Sequence, residues 1–152
     1  MKHARATAMA ASFAAAALVS GIGASSGGAS AGVASLRFYE RPGPTSVVDN
    51  APKGKKAGRG DLIVYANPVF DRQGTQVGTD HGVCTVLSSS QSQCEATLAL
   101  PKGQIVTHGL QGMKSSFEVA VIGGTGAYAG ARGTMTAHPI KDGGSTILIN
   151  LL

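Results

Sequence analysis

The sequence predicts an all-β protein, an eight-stranded antiparallel closed β-barrel that follows a cleaved N-terminal signal peptide. Eight short segments are rich in β-branched and aromatic residues, and residues typical of tight turns separate them. No segment of ten or more residues has the spacing of an amphipathic helix. Eight strands are enough to close a small barrel around one ligand. A β-sandwich is the alternative.

The first 31 residues differ in composition from the rest. Lys2 and Arg5 precede the apolar stretch AMAASFAAAALVSGIGA, and Ala29-Ser30-Ala31 fits a cleavage site. We therefore predict a secretory signal peptide at 1–31 and one barrel domain at 32–152, with a disordered Ala-rich tail as the alternative to the signal. No other segment is long and apolar enough to span a bilayer, so we expect a secreted protein without membrane insertion after cleavage.

A basic stretch, PKGKKAGRG, predicts a flexible loop at about 50–60, because Pro and Gly interrupt it. Removing residues 1–31 lowers the formal net charge from +5 to +3, since only Lys2 and Arg5 are lost among charged residues. A cationic loop could contact an anionic envelope or nucleic acid. No aromatic residue interleaves the basic ones, so we predict a solvated loop and no nucleic-acid partner.

The strand segments follow one another at nearly regular spacing, which predicts an antiparallel meander. They are 34–40, 61–70, 75–87, 94–100, 104–110, 116–122, 133–140 and 145–152. Turn residues lie between them at 71–74, 88–91, 101–103, 123–124 and 142–144. The acidic residues are expected mostly at strand ends and turns: Asp49, Asp61, Asp71, Asp80 and Asp142.

The two cysteines flank one of these turns. If Ser88–Ser90 form the hairpin loop, Cys84 lies directly opposite Cys94, where a cross-strand disulfide is possible. Export favours oxidation, so we predict the bond. A reactive thiol at Cys84 is the alternative.

The stretch GGTGAYAGARG, residues 123–133, is rich in glycine like a phosphate-binding loop, but the helix that follows such a loop is not predicted here. The β-like ARGTMTAH follows it, and no Gly-Lys-Ser/Thr is present. We therefore predict a tight connection between two barrel strands. In it Gly123, Gly124 and Gly126 supply positive φ, Tyr128 caps one barrel end, and Arg132 hydrogen-bonds loop carbonyls or a carboxylate.

This glycine stretch resembles the Gly-Gly-Thr-Gly-x-Phe/Tyr-x-x-Ala-Arg-Gly signature of plant dirigent proteins. GDLIVYANPVFDRQGTQVGTDHGVC resembles a region of the related allene oxide cyclases. Over about 36–152 the chain is similar to allene oxide cyclase-like barrels of bacteria. Both plant families are eight-stranded barrels, usually trimers, with a mostly apolar cavity. The resemblance therefore implies a small hydrophobic molecule as partner, a homotrimer, and no cofactor.

The same resemblance implies the site residues. Glu40 in FYERPG matches a cavity glutamate and Asn67 a cavity asparagine, which makes these two the candidate catalytic residues. Ile63, Tyr65 and Cys84 match cavity residues that bind the ligand. Ile63, Tyr65 and Asn67 alternate, so they share one face of a strand. For Glu40 a surface carboxylate, for Asn67 a turn, and for Tyr65 an ordinary core position remain the alternatives.

Three functions remain open. The first is a cyclase-like or dirigent-like barrel, an isomerase if it cyclises its substrate. The second is a non-catalytic carrier, and the third an envelope interaction module with a filled barrel. Ala66-Asn67-Pro68 stands where dirigent proteins have an acidic motif, which weakens support for their coupling chemistry. His81, His108 and His138 lie on different strands, so no metal site is predicted.

Overall fold

The computed structural model describes residues 34–50, 57–112 and 114–152. The predicted signal peptide and residues 51–56 of the basic loop lie outside the described residues. Within them, no helix is long and apolar enough to cross a membrane. The described strands are β1 (Ala34–Glu40), β2 (Thr45–Val48), β3 (Leu62–Phe70), β4 (Gln76–Val86), β5 (Gln91–Leu100), β6 (Gly103–Gly112), β7 (Phe117–Gly124), β8 (Gly133–Pro139) and β9 (Ser145–Leu151).

These strands form one antiparallel sheet that closes on itself. The order is β1-β9-β8-β7-β6-β5-β4-β3-β2, and β1 also pairs with β3. At the closure, Tyr39 pairs with Phe70 and Glu40 with Val69. Strand β2 continues along the same edge of β3, with Thr45 opposite Tyr65. Strands β1 and β2 therefore share one place in the barrel, and the predicted closed eight-stranded barrel is confirmed.

A bend at residues 41–44 separates β1 from β2. Pro42 and Pro44 have no N–H to donate to a strand ladder. Backbone bonds still join both sides of the bend to β3, from Arg41 N to Pro68 O at 3.1 Å and from Ala66 N to Pro44 O at 3.0 Å. The bend thus interrupts the strand without opening the barrel.

Inward-facing side chains fill one end of the barrel. The buried cluster comprises Leu98, Ile105, Val119, Val121, Met135, Ile147 and Ile149, and partly buried residues such as Phe38 and Tyr128 pack against it. Burial of each such side chain stabilises the fold by about 1.5–3 kcal/mol. This packed end is the one that the glycine stretch closes.

The glycine stretch forms a short 3₁₀ helix, Gly126–Tyr128, between β7 and β8. Gly126 has a positive φ of 60°, whereas the positive φ expected for Gly123 and Gly124 is absent. Position 124 requires a glycine for another reason, because a Cβ there would overlap the carbonyl oxygens of Tyr128 and Gln104. Arg132 Nη1 donates to Ala131 O at 2.7 Å. The connection is therefore tight through close backbone approach as well as through backbone conformation.

The predicted disulfide is confirmed. Cys84 lies opposite Cys94 in the β4–β5 ladder, with a Cα–Cα distance of 4.0 Å and an S–S bond of 2.02 Å. Both residues are buried on the inner face of the barrel. The chain has only these two cysteines, so the alternative of a reactive thiol at Cys84 is wrong for the oxidised protein.

Asp61 joins the two ends of the basic loop just before β3. Its Oδ1 accepts a hydrogen bond from the backbone N–H of Asn50 at 2.9 Å, and its Oδ2 accepts one from Gly58 at 2.6 Å. A carboxylate that satisfies two backbone donors fixes the geometry of the loop base. The loop therefore leaves and re-enters the barrel at one defined point.

Candidate functional site

A cavity of about 330 Å³ occupies the end of the barrel opposite the packed core. The strand ends around it carry small residues, Gly112 at the end of β6 and Gly143 and Gly144 just before β9. Its apolar walls include Ile63, Phe117 and Ile140, and polar side chains form a comparable part of the lining. A concave site that combines apolar walls with convergent polar groups can bind a small molecule and fix its orientation.

The five residues singled out as catalytic or ligand-binding candidates lie around this one cavity. Ile63, Tyr65 and Asn67 line it from alternate positions of β3, Glu40 from the end of β1, and Cys84 from β4. The alternation follows from the side-chain period of a strand. Cys84 takes part through its disulfide with Cys94, which lines the same wall.

The side chain of Asn67 connects the bend to Glu40. Its Oδ1 accepts a hydrogen bond from the backbone N–H of Gly43 at 2.8 Å. This bond orients the amide so that Nδ2 donates to Glu40 Oε1. Burial raises the pKa of Glu40, and the bond from Asn67 lowers it in part. Asn67 therefore holds a half-buried carboxyl group in one orientation at the cavity wall.

Tyr65 extends across β4 over Gly82, where the strand has no side chain. It lies directly opposite Gly82 in the β3–β4 ladder. A Cβ at Gly82 would overlap the ring and hydroxyl of Tyr65. The hydroxyl interacts with Gln111 and Asp80, and its pKa is raised, first by burial and then by the negative charges of Asp80 and Glu40. The phenol therefore stays protonated.

Asp80 corrects an expectation from the sequence. It lies in the middle of β4 opposite Asn67, and not at a strand end or turn. It faces inward, is 3% exposed, and its Oδ1 has no hydrogen-bond partner. Burial and then the charge of Glu40 raise its pKa to about 7, and the hydrogen bond with Tyr65 lowers it in part. The sequence does indicate this inward position, because Asp80, Gly82 and Cys84 are spaced two residues apart along one strand and therefore share a face.

A family comparison agrees with this architecture. The family model described as allene oxide cyclase barrel like domain matches residues 45–150. The chain belongs to the allene oxide cyclase-like barrel family. No curated protein matches the sequence significantly.

Solved structures share the allene oxide cyclase-like barrel fold at low identity. A pyocyanin demethylase superposes with a TM-score of 0.69 at 23% identity, over 78% of this chain and 100% of that one. A pterocarpan synthase dirigent protein gives 0.62 at 20%, over 78% and 82%. A Diels–Alderase from Streptomyces koyangensis gives 0.60 at 18%, over 78% and 63%. At these identities the likeness shows the fold alone.

Four further polar residues line the cavity of this allene oxide cyclase-like barrel and were missed from the sequence: Ser92, Gln111, Lys114 and Ser145. Ser92 on β5 is 4% exposed, and its Oγ has no hydrogen-bond partner. It lies opposite Gln111 of β6, which also lines the cavity. Ser92 falls between the predicted turn at 88–91 and the predicted strand at 94–100, although its two-residue spacing from Cys94 places both on one face.

Cations and metal ligands are sparse around the cavity. Lys114 lies in the lining between β6 and β7. Among the described residues, no group of three His, Cys, Asp or Glu side chains is arranged to hold a metal ion. His108 pairs with Gln93 at 3.0 Å, and His138 with Ser116 at 2.9 Å. The polar character of the cavity therefore comes mainly from acids, amides and hydroxyl groups.

Proposed function

We propose that this chain is a secreted allene oxide cyclase-like barrel that binds a small hydrophobic molecule in its cavity and steers its cyclisation or coupling. The observation that carries the proposal is the contrast between the two ends of the barrel. One end is packed with apolar side chains, and the other encloses about 330 Å³ bordered by Glu40, Tyr65 and Asn67. This space argues against the alternative of an interaction module with a filled barrel.

The cavity supplies what a cyclisation needs from a protein. Its walls can shield part of a bound molecule from water and hold a flexible molecule in a reactive conformation. Tyr65 is a neutral hydroxyl group that can donate a hydrogen bond to an oxygen of the ligand, and the carboxyl group of Glu40 can accept one from a hydroxyl group of the ligand. An internal cyclisation leaves the molecular formula of the substrate unchanged and needs no cofactor, so a cyclising activity would be of the isomerase class. Neighbours named as a dirigent protein and a Diels–Alderase support this reaction type.

Binding without turnover is the second candidate. Asn67 already occupies one oxygen of Glu40, and the disulfide removes a nucleophilic thiol from the cavity. Both features reduce the number of free acidic and nucleophilic groups in the cavity that an acid–base or nucleophilic mechanism could use. A carrier of the same hydrophobic molecule needs only the cavity and its polar groups.

Secretion and a homotrimer belong to the proposal as well. The disulfide supports export, because such bonds persist in oxidising compartments. The homotrimer follows from the family resemblance, and light scattering of the purified protein tests it.

The test of the function compares two neighbouring positions on β3. Ile63 faces the cavity, whereas Val64 is 40% exposed on the outer face. Ile63→Phe should fill the cavity and weaken binding of a hydrophobic fluorescent probe, and Val64→Phe should leave it unchanged. Mass spectrometry of molecules that co-purify with the wild type then names candidates. Incubation with each candidate separates turnover from transport, and equal binding by both variants would contradict the proposal.

A further inference from the structure

Asp80 lies beneath the cavity, on the side of the packed core. It does not line the cavity, and its nearest neighbour across the β4–β5 ladder is the core residue Leu98. Its carboxyl group is 3% exposed, with Oδ1 unpartnered. An unsatisfied buried acceptor destabilises the folded state. Packing alone therefore gives no reason for an acid at this position.

The hydroxyl group of Tyr65 connects Asp80 to the cavity. Tyr65 lines the cavity, and its ring and hydroxyl lie over Gly82. Gly82 is the next inward position after Asp80 on β4. The hydroxyl interacts with Asp80 on one side and with Gln111 on the other. Any effect of Asp80 on a ligand therefore passes through Tyr65.

The protonation state of Asp80 determines what Tyr65 offers to a ligand. A neutral carboxyl group has an O–H that can donate to Tyr65 Oη, which leaves the phenol O–H free to donate elsewhere. An ionised carboxylate only accepts, so it takes the phenol O–H for itself. Tyr65 then presents only lone pairs to the cavity. The two states make Tyr65 a donor or an acceptor.

We propose that Asp80 is a positioning residue that holds a proton beneath the cavity and thereby turns the Tyr65 hydroxyl group toward an oxygen acceptor on the bound molecule. The inference rests on the proposed function, since it needs a ligand that reaches Tyr65. The expected ligand is then a molecule with a carbonyl or ether oxygen, and this oxygen lies at the deep end of the cavity when the molecule is bound.

The surroundings of Asp80 favour the neutral carboxyl group. The titratable groups that face it are Glu40 from β1, whose charge raises the pKa of Asp80, and Tyr65 from β3, whose hydrogen bond lowers it in part and does not outweigh burial. Strands β5 and β6 contribute the apolar Leu98 and Ile105. The pKa of about 7 means that the proton leaves near neutral pH.

The experiment measures binding of prodan, a neutral naphthalene ketone whose fluorescence reports an apolar site, between pH 5.5 and 8.5. Wild-type affinity should fall about tenfold across this range, as expected for the loss of one hydrogen bond. Asp80→Asn should bind tightly at both pH values, because the amide still donates to Tyr65. Tyr65→Phe should bind weakly at both. Anthracene, which lacks an oxygen, should bind the wild type with equal affinity at pH 5.5 and pH 8.5.

Glu40→Gln is the matched control for charge. It should keep the pH step but move it to lower pH, because removing this negative charge lowers the pKa of Asp80. A wild type without a pH step, or an Asp80→Asn variant with the same step as the wild type, would overturn the proposal.

A ligand-free measurement separates this inference from the proposed function. In protein labelled with ¹³C at Asp carboxyl and Tyr Cζ positions, the Tyr65 signal should shift in the same pH step as the Asp80 carboxyl, and Asp80→Asn should abolish that shift. Independent titration of the two signals would overturn the inference. A shared step in a protein that binds no prodan would support the Asp80–Tyr65 pairing and count against the proposed ligand function.

Discussion

Tyr65 and Gly82 face each other across the β3–β4 ladder, and the tyrosine ring occupies the space that a β-carbon at position 82 would fill. Gly82→Ala should therefore displace Tyr65 from its place over β4. Overpacking of this kind costs about 1–3 kcal/mol. We expect a lower melting temperature and weaker prodan binding, measured by calorimetry and fluorescence titration.

Gly123→Ala is the control for that change. Gly123 also lies in a strand without a positive φ, and a Cβ there would meet only Arg132 Nη1 at 4.0 Å. Stability and binding should stay close to wild type. Equal losses in both variants would show that Gly82 has no special relation to Tyr65.

Asp80 should make the stability of the fold depend on pH. Folding raises its pKa from 3.8 to about 7, so between these values the folded state keeps a proton that the unfolded state releases. The free energy of unfolding therefore falls as pH rises from about 4 to 7, by a few kcal/mol at most. Urea unfolding at several pH values measures this fall.

The slope should be smaller in Asp80→Asn, because the asparagine does not titrate. Some slope should remain, since the raised pKa of Glu40 acts in the same direction. If Asp80→Asn kept the full wild-type dependence of unfolding free energy on pH, the proton retained on folding would belong to a residue other than Asp80.

The disulfide should contribute to stability mainly by restricting the conformations of the unfolded chain. Cys84 and Cys94 are separated by 10 residues, and closing a loop of that size stabilises by about 2–3 kcal/mol. Cys84→Ala/Cys94→Ala should lower the free energy of unfolding by at least that amount, because it also removes buried sulfur. Non-reducing peptide mapping of the exported protein should recover the two peptides joined, and two free thiols would refute the bond.

Arg132 should affect stability without affecting binding. It lies in the connection at the packed end of the barrel, away from the cavity, and donates to Ala131 O. Arg132→Ala should lower the melting temperature slightly and leave prodan affinity unchanged. Phosphate or nucleotide binding by the wild type that is lost in the variant would revive the interpretation as a phosphate-binding loop.

The barrel could be predicted because its signals are local. Alternating apolar residues and turn residues define each strand, and the hairpin at Ser88–Ser90 determines which residue lies opposite Cys84. Strand β2 was missed because TSVV is only four residues long and follows a Pro-Gly-Pro bend. Its pairing with β3 depends on the closure of the whole barrel.

The candidate site could be predicted only in part. Tyr65 and Asn67 were found from the resemblance and from alternation along β3. Asp80 was missed because an aspartate within a strand-like stretch was read as a turn residue, although alternation with Cys84 places it inside. The overlap of Tyr65 with Gly82, and the missing partner of Asp80 Oδ1, are relations across strands that a linear pattern does not contain.

A crystal structure of the mature protein soaked with prodan shows whether the cavity binds a hydrophobic molecule. We expect ligand density inside the barrel, between Ile63 and Phe117, with the ketone oxygen within hydrogen-bond distance of Tyr65 Oη. Prodan bound only on the outer face beside Val64 and Val83, with the cavity unchanged, would contradict the account.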